Sequence, residues 1–271
     1  MLHLNLLEAF FLGLIQGITE FLPISSSAHL VIAQQLMGLN MPGLAFEVFL
    51  HFASLLAVLI YFRRDIVEIV TGFFKYLSSR QEQHRGSFLF TVYLLLATAI
   101  TGVLGVLLED LLADKLKSMT TIAISLFATG VFLFLIERVR RYGSRTAEQM
   151  TVLDALWIGL GQTVAVIPGI SRAGSTLVVA LWCGLEKETA VRFSFLLSVP
   201  VILGSTVLMA PDFDMIRLQT GIPELLISFA ASFVFALIGI KWLITFLQHS
   251  KLIYFTYYCF FMSGFVFFFL R

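Results

Sequence analysis

Six stretches of this chain, roughly 44–62, 88–108, 119–137, 190–210, 222–247 and 252–270, run for about twenty residues with few or no charges. That is the length an α-helix needs to cross the hydrocarbon of a bilayer. Of the 271 residues, 59% are hydrophobic and only 13% charged, and the mean hydropathy is +0.94. A soluble fold of this size could not hide so much apolar surface, so lipid must cover part of it. The expected class is an all-α integral membrane protein. A formal net charge of +1 leaves no basic surface for nucleic acid. Cys183 and Cys259 stand alone in apolar stretches and read as packing residues, not as a disulfide or zinc framework. The opening MLHLNLLEAF lacks a basic n-region, and Glu8, Gln16 and Glu20 interrupt the apolar run. It reads as a mature start.

Basic loops face the cytoplasm. The loop 63–87 carries Arg63, Arg64, Lys75, Arg80 and Arg85, and the loop 138–151 carries Arg138, Arg140, Arg141 and Arg145. Both are expected inside. Glu109 to Ser118 and the segment 211–221 are richer in acid and fit outside.

Two further apolar segments do not read as plain spans. Residues 6–37 hold Glu8, Gln16, Glu20, Pro23, three consecutive serines and His29; residues 152–184 hold Asp154, Gln162, Pro168, Gly169, Ser171, Arg172 and Gly174. Each has the pattern of a helix, a proline-broken turn rich in serine, and a second short helix. Non-helical backbone at membrane depth survives only where protein or water satisfies it. The pattern therefore predicts two re-entrant helical hairpins in addition to six transmembrane helices. An offset of 146 pairs Gly13 with Gly159, Leu14 with Leu160, Gln16 with Gln162, Ile24 with Ile170, Ser25 with Ser171, Gly38 with Gly184 and Leu39 with Leu185. The chain is thus expected to be a single membrane domain, 1–271, built of two repeats at about 1–145 and 146–271. One hairpin and three spans per half make the topology inverted. The hairpins then enter from opposite sides, with tips near the midplane, where helix N-termini suit an anion.

The residues at those tips carry chemistry. Gln16 and Glu20 are i, i+4 on one helix face. Pro23 ends that helix, and Ser25, Ser26 and Ser27 open the next, with His29 one turn in. Serine-rich turns are commonly plain caps, which accounts for one serine but not for Glu20 and His29 in an apolar segment. The second tip reads Pro168-Gly-Ile-Ser171-Arg172-Ala-Gly174-Ser175-Thr176. Arg172 has a fork suited to phosphate oxygens; an ion pair with Glu20 is the plainer alternative. Together these groups could carry out phosphoryl transfer. Ser26 would attack phosphorus, His29 would move the proton, Arg172 would hold the developing charge, and Glu20 would orient a base or a metal. Glu47 and His51, also i, i+4, either line the cavity or pair with each other. Ser194 and Thr206 read as small packing residues and the Phe-rich 260–269 as lipid-facing; His3, His84 and His249 read as solvated.

The stretch Gln16 to His29, with Pro168 to Thr176, closely resembles the two signature motifs of undecaprenyl-diphosphate phosphatases of the bacitracin-resistance type. The likeness continues through Phe46-Glu47-Val48, Ala57-Val58 and the run Phe193 to Pro200. The resemblance implies a bacterial plasma-membrane enzyme that hydrolyses a C55 polyprenyl diphosphate lipid to the monophosphate, recycling the carrier of peptidoglycan synthesis and protecting against bacitracin. It implies a site facing the periplasm or exterior, a divalent cation (Mg2+ or Ca2+) and no organic cofactor. Position by position, it makes Glu20, Ser26, His29 and Arg172 catalytic, and Gln16, Ser25, Ser27, Ser171 and Thr176 substrate-binding. Glu20 and Gln16 would hold the metal. Gln16 stands where many members have Glu, Ala28 where glycine is common and Ala173 where serine is common. The rival reading is a lipid-phosphate transporter or flippase, since inverted repeats with midplane hairpins are usual there. Pairing with a second copy as a homodimer is left open.

Overall fold

The computed structural model describes residues 4–39, 45–112, 118–138, 143–213, 220–249 and 251–270. Among them, eleven α-helices follow in chain order. They are α1 (Leu6–Glu20), α2 (Ser26–Leu36), α3 (Ala45–Tyr61), α4 (Arg63–Ser79), α5 (Arg85–Leu112), α6 (Met119–Arg138), α7 (Val152–Val164), α8 (Arg172–Trp182), α9 (Lys187–Met209), α10 (Ile222–His249) and α11 (Ile253–Phe269). The β pairing among the described residues is one parallel bridge between Arg145 and Leu185.

Helices α5, α6, α9 and α10 are each long and apolar enough to cross a membrane, and their outward faces are apolar, as at Val103, Ile124, Val207 and Ile238. The protein is an all-α, multi-pass membrane protein. The expected six spans are not all matched by length. The stretch 44–62 becomes α3, which qualifies only as the first arm of a pair bent by 75° with α4, and α11 has 17 residues. The expected loop 63–87 needs correction, because most of it is helical. Its apolar residues recur at helical spacing among charges, so its mean hydropathy is near zero and a search for spans passes over it. Arg140 and Arg141, and the central parts of the loops near 113–117 and 214–219, lie outside the described residues.

Each hairpin is built by the same local devices, 146 residues apart. Asn5 and Glu8 form a reciprocal capping box at the start of α1 (2.9 and 2.8 Å), as do Thr151 and Asp154 at the start of α7 (3.4 and 2.7 Å). Ser25 Oγ accepts from Ala28 N at the head of α2, and Ser171 Oγ accepts from Gly174 N at the head of α8. Both short helices end on a glycine with positive φ, Gly38 (+67°) and Gly184 (+84°). In each case the next residue's N–H reaches back five residues, Leu39 to Gln34 O and Leu185 to Ala180 O.

Each hairpin is held by a long helix distant from it in sequence, with small residues at the crossings. Helix α1 packs along α10, where a Cβ on Gly13 or Gly17 would stand 2.2 Å from Ser228 O and 2.4 Å from Ser232 O. Helix α7 packs along α5, with Gly159 against Ala97. Without a hydrophobic drive between helices in lipid, close backbone approach and hydroxyl bonds hold such pairs. Ser54 Oγ lies 3.1 Å from Ser232 Oγ, Thr101 Oγ1 donates to Gly159 O (3.2 Å), and Ser263 Oγ donates to Ala123 O (2.7 Å). Just before α7, Arg145 clasps both oxygens of Asp154 (3.0 and 2.6 Å), Cys183 O and Gln149 O, tying the open end of the second hairpin.

Candidate active site

The two tips meet. Gly169 N donates to Ser27 Oγ (3.4 Å), Ser171 Oγ donates to Leu22 O (3.4 Å), and Gly174 sits against Pro23. Gly169 is at φ +93°, and a Cβ there would lie 2.7 Å from the Ser125 side chain, so only glycine lets the second tip seat against α6. Ser25 is at φ +71°, an uncommon value for a residue with a side chain, held by its cap and by a 3.2 Å contact to Ser27 Oγ.

Between the tips lies a cavity of about 280 Å³, bounded by Glu20, Ser25, Ser26, Ser27, Glu47, His51, Ser171, Arg172 and Ser205, with Val31, Val48, Val166, Val201 and Ile202 as apolar wall. Glu20, at the end of α1 and almost wholly buried, is its hub. Arg172, the first residue of α8, donates to Glu20 Oε1 and forms an ion pair with it. The other oxygen, Oε2, accepts from Ser26 Oγ (2.6 Å) and Gln16 Nε2 (2.8 Å) and faces His51 Nε2 (3.1 Å). Ser26 and Arg172 are therefore the first residues of two helices whose N-termini converge on one carboxylate.

Of the residues expected at the site, Glu20, Ser25, Ser26, Ser27, Ser171 and Arg172 border this cavity. Gln16 stands behind it, holding Glu20. Thr176 faces elsewhere: its hydroxyl donates to Arg172 O (3.0 Å) and meets Ser194 Oγ, which holds α8 on α9. His29 does not meet Ser26. Its Nδ1 faces Ser25 O (2.7 Å), its Nε2 meets Tyr258 OH (2.6 Å), and its ring stacks on that tyrosine. The histidine that reaches the carboxylate is His51, on α3. Its signal was an ionisable pair, Glu47 and His51, within an apolar stretch. Tyr258 and Ser205 gave no signal beyond being polar groups in spans.

The pair expected to hold a metal does not fit one. Hard divalent cations take oxygen ligands. Gln16 presents its nitrogen to Glu20, while its Oε1 is buried without a hydrogen-bond partner. Glu20 is already faced by a guanidinium and an imidazole. Among the described residues, no three His, Cys, Asp or Glu side chains cluster as a metal site.

A family model described as "Bacitracin resistance protein BacA" matches residues 9–265. The chain is 53% identical over 268 residues to "Undecaprenyl-diphosphatase 2" of Halalkalibacterium halodurans, covering 98% of this chain and 96% of that protein. It is 51% identical over 269 residues to "Undecaprenyl-diphosphatase 1" of Shouchella clausii (98% and 97%), and 40% identical over 261 residues to "Undecaprenyl-diphosphatase" of Oceanobacillus iheyensis (94% and 93%).

Proposed function

The chain belongs to the BacA bacitracin-resistance family, and from that premise we propose that the cavity between its hairpin tips is where it hydrolyses undecaprenyl diphosphate to undecaprenyl phosphate and inorganic phosphate. The reaction returns the lipid carrier to peptidoglycan synthesis and removes the diphosphate form that bacitracin sequesters. The observation that carries the reading is the hydrogen bond from Ser26 Oγ to Glu20 Oε2, with Arg172 on the opposite oxygen. A hydroxyl within reach of a carboxylate is an activated nucleophile, and the guanidinium beside it suits phosphoryl oxygens.

In this mechanism Arg172 and the N-terminal ends of α2 and α8 hold the terminal phosphoryl group. Ser26 Oγ bonds to phosphorus as its proton passes to Glu20. The bond from phosphorus to the bridging oxygen breaks, and prenyl phosphate leaves. Water then cleaves the phosphoserine and the proton returns to Ser26. His51 serves as the proton partner in place of His29. Its Nδ1 faces Glu47 O (2.7 Å) and its Nε2 faces the carboxylate. A carbonyl can only accept, so Nδ1 carries hydrogen, and the Nε2–Glu20 contact shares one further proton. His29, with Nδ1 toward a carbonyl and Nε2 toward a tyrosine hydroxyl, is satisfied as a neutral ring. A divalent cation, Mg2+ or Ca2+, would come with the diphosphate and screen its charge, since Gln16 and Glu20 do not fit one.

The prenyl chain stays in lipid while its head enters, which is why such a site belongs within the membrane. The family likeness supports a plasma-membrane location with the cavity opening outward, and the basic loops support a cytoplasmic side opposite it. The matched capping, and the exchange of α1 onto α10 and α7 onto α5, support two inverted repeats. A carrier needs binding groups only, so the Ser26–Glu20 contact favours hydrolysis over transport.

The test is phosphate release from a polyprenyl diphosphate by purified protein in detergent, with acid quench to trap phosphate on Ser26. Release and a trapped phosphoserine are expected, both lost in Ser26→Ala. Full-rate release by that variant would overturn the assignment.

A further inference from the structure

Helix α4 has three faces, where an amphipathic helix on a soluble core has two. At roughly 100° per residue, Ile69, Gly72, Phe73 and Tyr76 fall together and pack on α5. There Phe73 stacks on Phe88 with ring centroids 5.4 Å apart, Tyr76 lies 4.8 Å from the same ring, and Gly72 abuts Ser87. A second third of the circumference carries Val67, Val70, Phe74 and Leu77, which are 60%, 45%, 63% and 44% exposed. The remaining third carries Arg64, Glu68, Thr71, Lys75 and Ser78, all of them exposed. One face meets protein, one is apolar and uncovered, and one is polar.

We propose that α4 is an interfacial helix that binds the membrane surface, laying Val67, Val70, Phe74 and Leu77 among the upper acyl chains and turning its basic residues to acidic lipid headgroups. Three observations favour this occupant. The helix leaves α3 through the single residue Phe62 at 75°, so it runs nearly across the direction of its spanning neighbour at the depth where that helix ends. Ile60 and Tyr61, just before the bend, are already exposed apolar surface that lipid must cover. The charges are complementary to acidic headgroups. Arg63, Arg64, Lys75 and Arg80 outnumber Asp65 and Glu68, and Asp65 is taken by Arg192 of α9 (2.6 Å). A second copy docking on the same stripe would bring like charges together. A helix with an apolar stripe, a basic polar face and low overall hydrophobicity lies in the interface plane. The inference does not depend on the reaction proposed above.

Spin labels at positions 70, 74, 71 and 78, one at a time in full-length protein carrying Cys183→Ala, test it in phosphatidylcholine vesicles with and without phosphatidylglycerol. Cys259 is fully buried and stays unlabelled. The ratio of oxygen to water-soluble nickel chelate accessibility is expected to be several-fold higher at 70 and 74 than at 71 and 78. Phosphatidylglycerol should widen that contrast, and Arg64→Gln with Lys75→Gln should cancel the widening. Equal ratios at all four positions would overturn the proposal. So would broadening at 70 and 74 that grows with protein-to-lipid ratio, the mark of a second copy. A contrast indifferent to acidic lipid would refute the headgroup assignment.

Discussion

Replacing Gly17 by alanine should do far more harm than a single methyl group suggests. The new Cβ would stand 2.4 Å from Ser232 O and 2.7 Å from Ala236 N, both backbone atoms of α10, where ordinary contact begins near 3.4 Å. Backbone cannot swing aside as a side-chain end can, so α1 must retreat from α10 by about 1 Å, and overpacking of this kind costs about 1–3 kcal/mol. For a chain of this size that lowers the midpoint of thermal inactivation by roughly 2–12 °C. Glu20 sits one turn beyond Gly17 on the same helix, so the shift also moves the carboxylate away from Ser26 and Arg172. A misplacement of about 1 Å costs on the order of 10²-fold in rate. The assay is heat inactivation in detergent, together with phosphate release, for Gly17→Ala beside two controls. Gly159→Ala, whose Cβ would meet Ala97 at 3.0 Å, should show a milder loss, and Gly102→Ala, with nothing within 4 Å, should match wild type or exceed it slightly. Equal behaviour of Gly17→Ala and Gly102→Ala would refute the reasoning that backbone contact with α10 positions the hairpin.

Arg172→Lys should keep the charge opposite Glu20 and fold, yet lose about 10²–10³ in kcat, because an ammonium cannot grip Glu20 and phosphoryl oxygens as a fork does; comparing steady-state rates with melting curves separates the two effects. His51→Gln should lower kcat by about 10²–10⁴ with little change in melting, whereas His29→Gln should mainly lower stability by loosening Tyr258; a reversed pattern would return the proton role to His29. Arg145→Ala removes four hydrogen bonds at the mouth of the second hairpin and should cost about 2–3 kcal/mol with an unchanged KM, read by thermal inactivation and substrate titration.

The broken helices were legible because their causes are local. Pro23 and Pro168 stop a helix, serines restart it, and Gly38 and Gly184 end it, all within a few residues. The meeting of Glu20 with Arg172 was legible from chemistry, since a carboxylate and a guanidinium in apolar segments need partners. The two histidines were harder. Spacing places His29 one turn from Ser26, but whether its ring turns to the nucleophile or to a neighbouring helix depends on how α11 seats Tyr258, and no local pattern encodes that. His51 reaches Glu20 only because α3 packs beside α1. Helix α4 was missed because averaging over a span-length window cancels its apolar stripe against its charges, so a periodic signal reads as a loop.

The convergence of Ser26 and Arg172 on Glu20 has a consequence for biogenesis. About 150 residues separate the carboxylate from its guanidinium, so for more than half of translation the first hairpin carries an acid with His51 as its neighbour and its arginine still missing. Sinking a carboxylate that lacks its guanidinium into lipid is costly. Full burial of the first hairpin is therefore expected to wait until the second has been threaded beside it. Threading of the second hairpin is thus part of what completes the cavity.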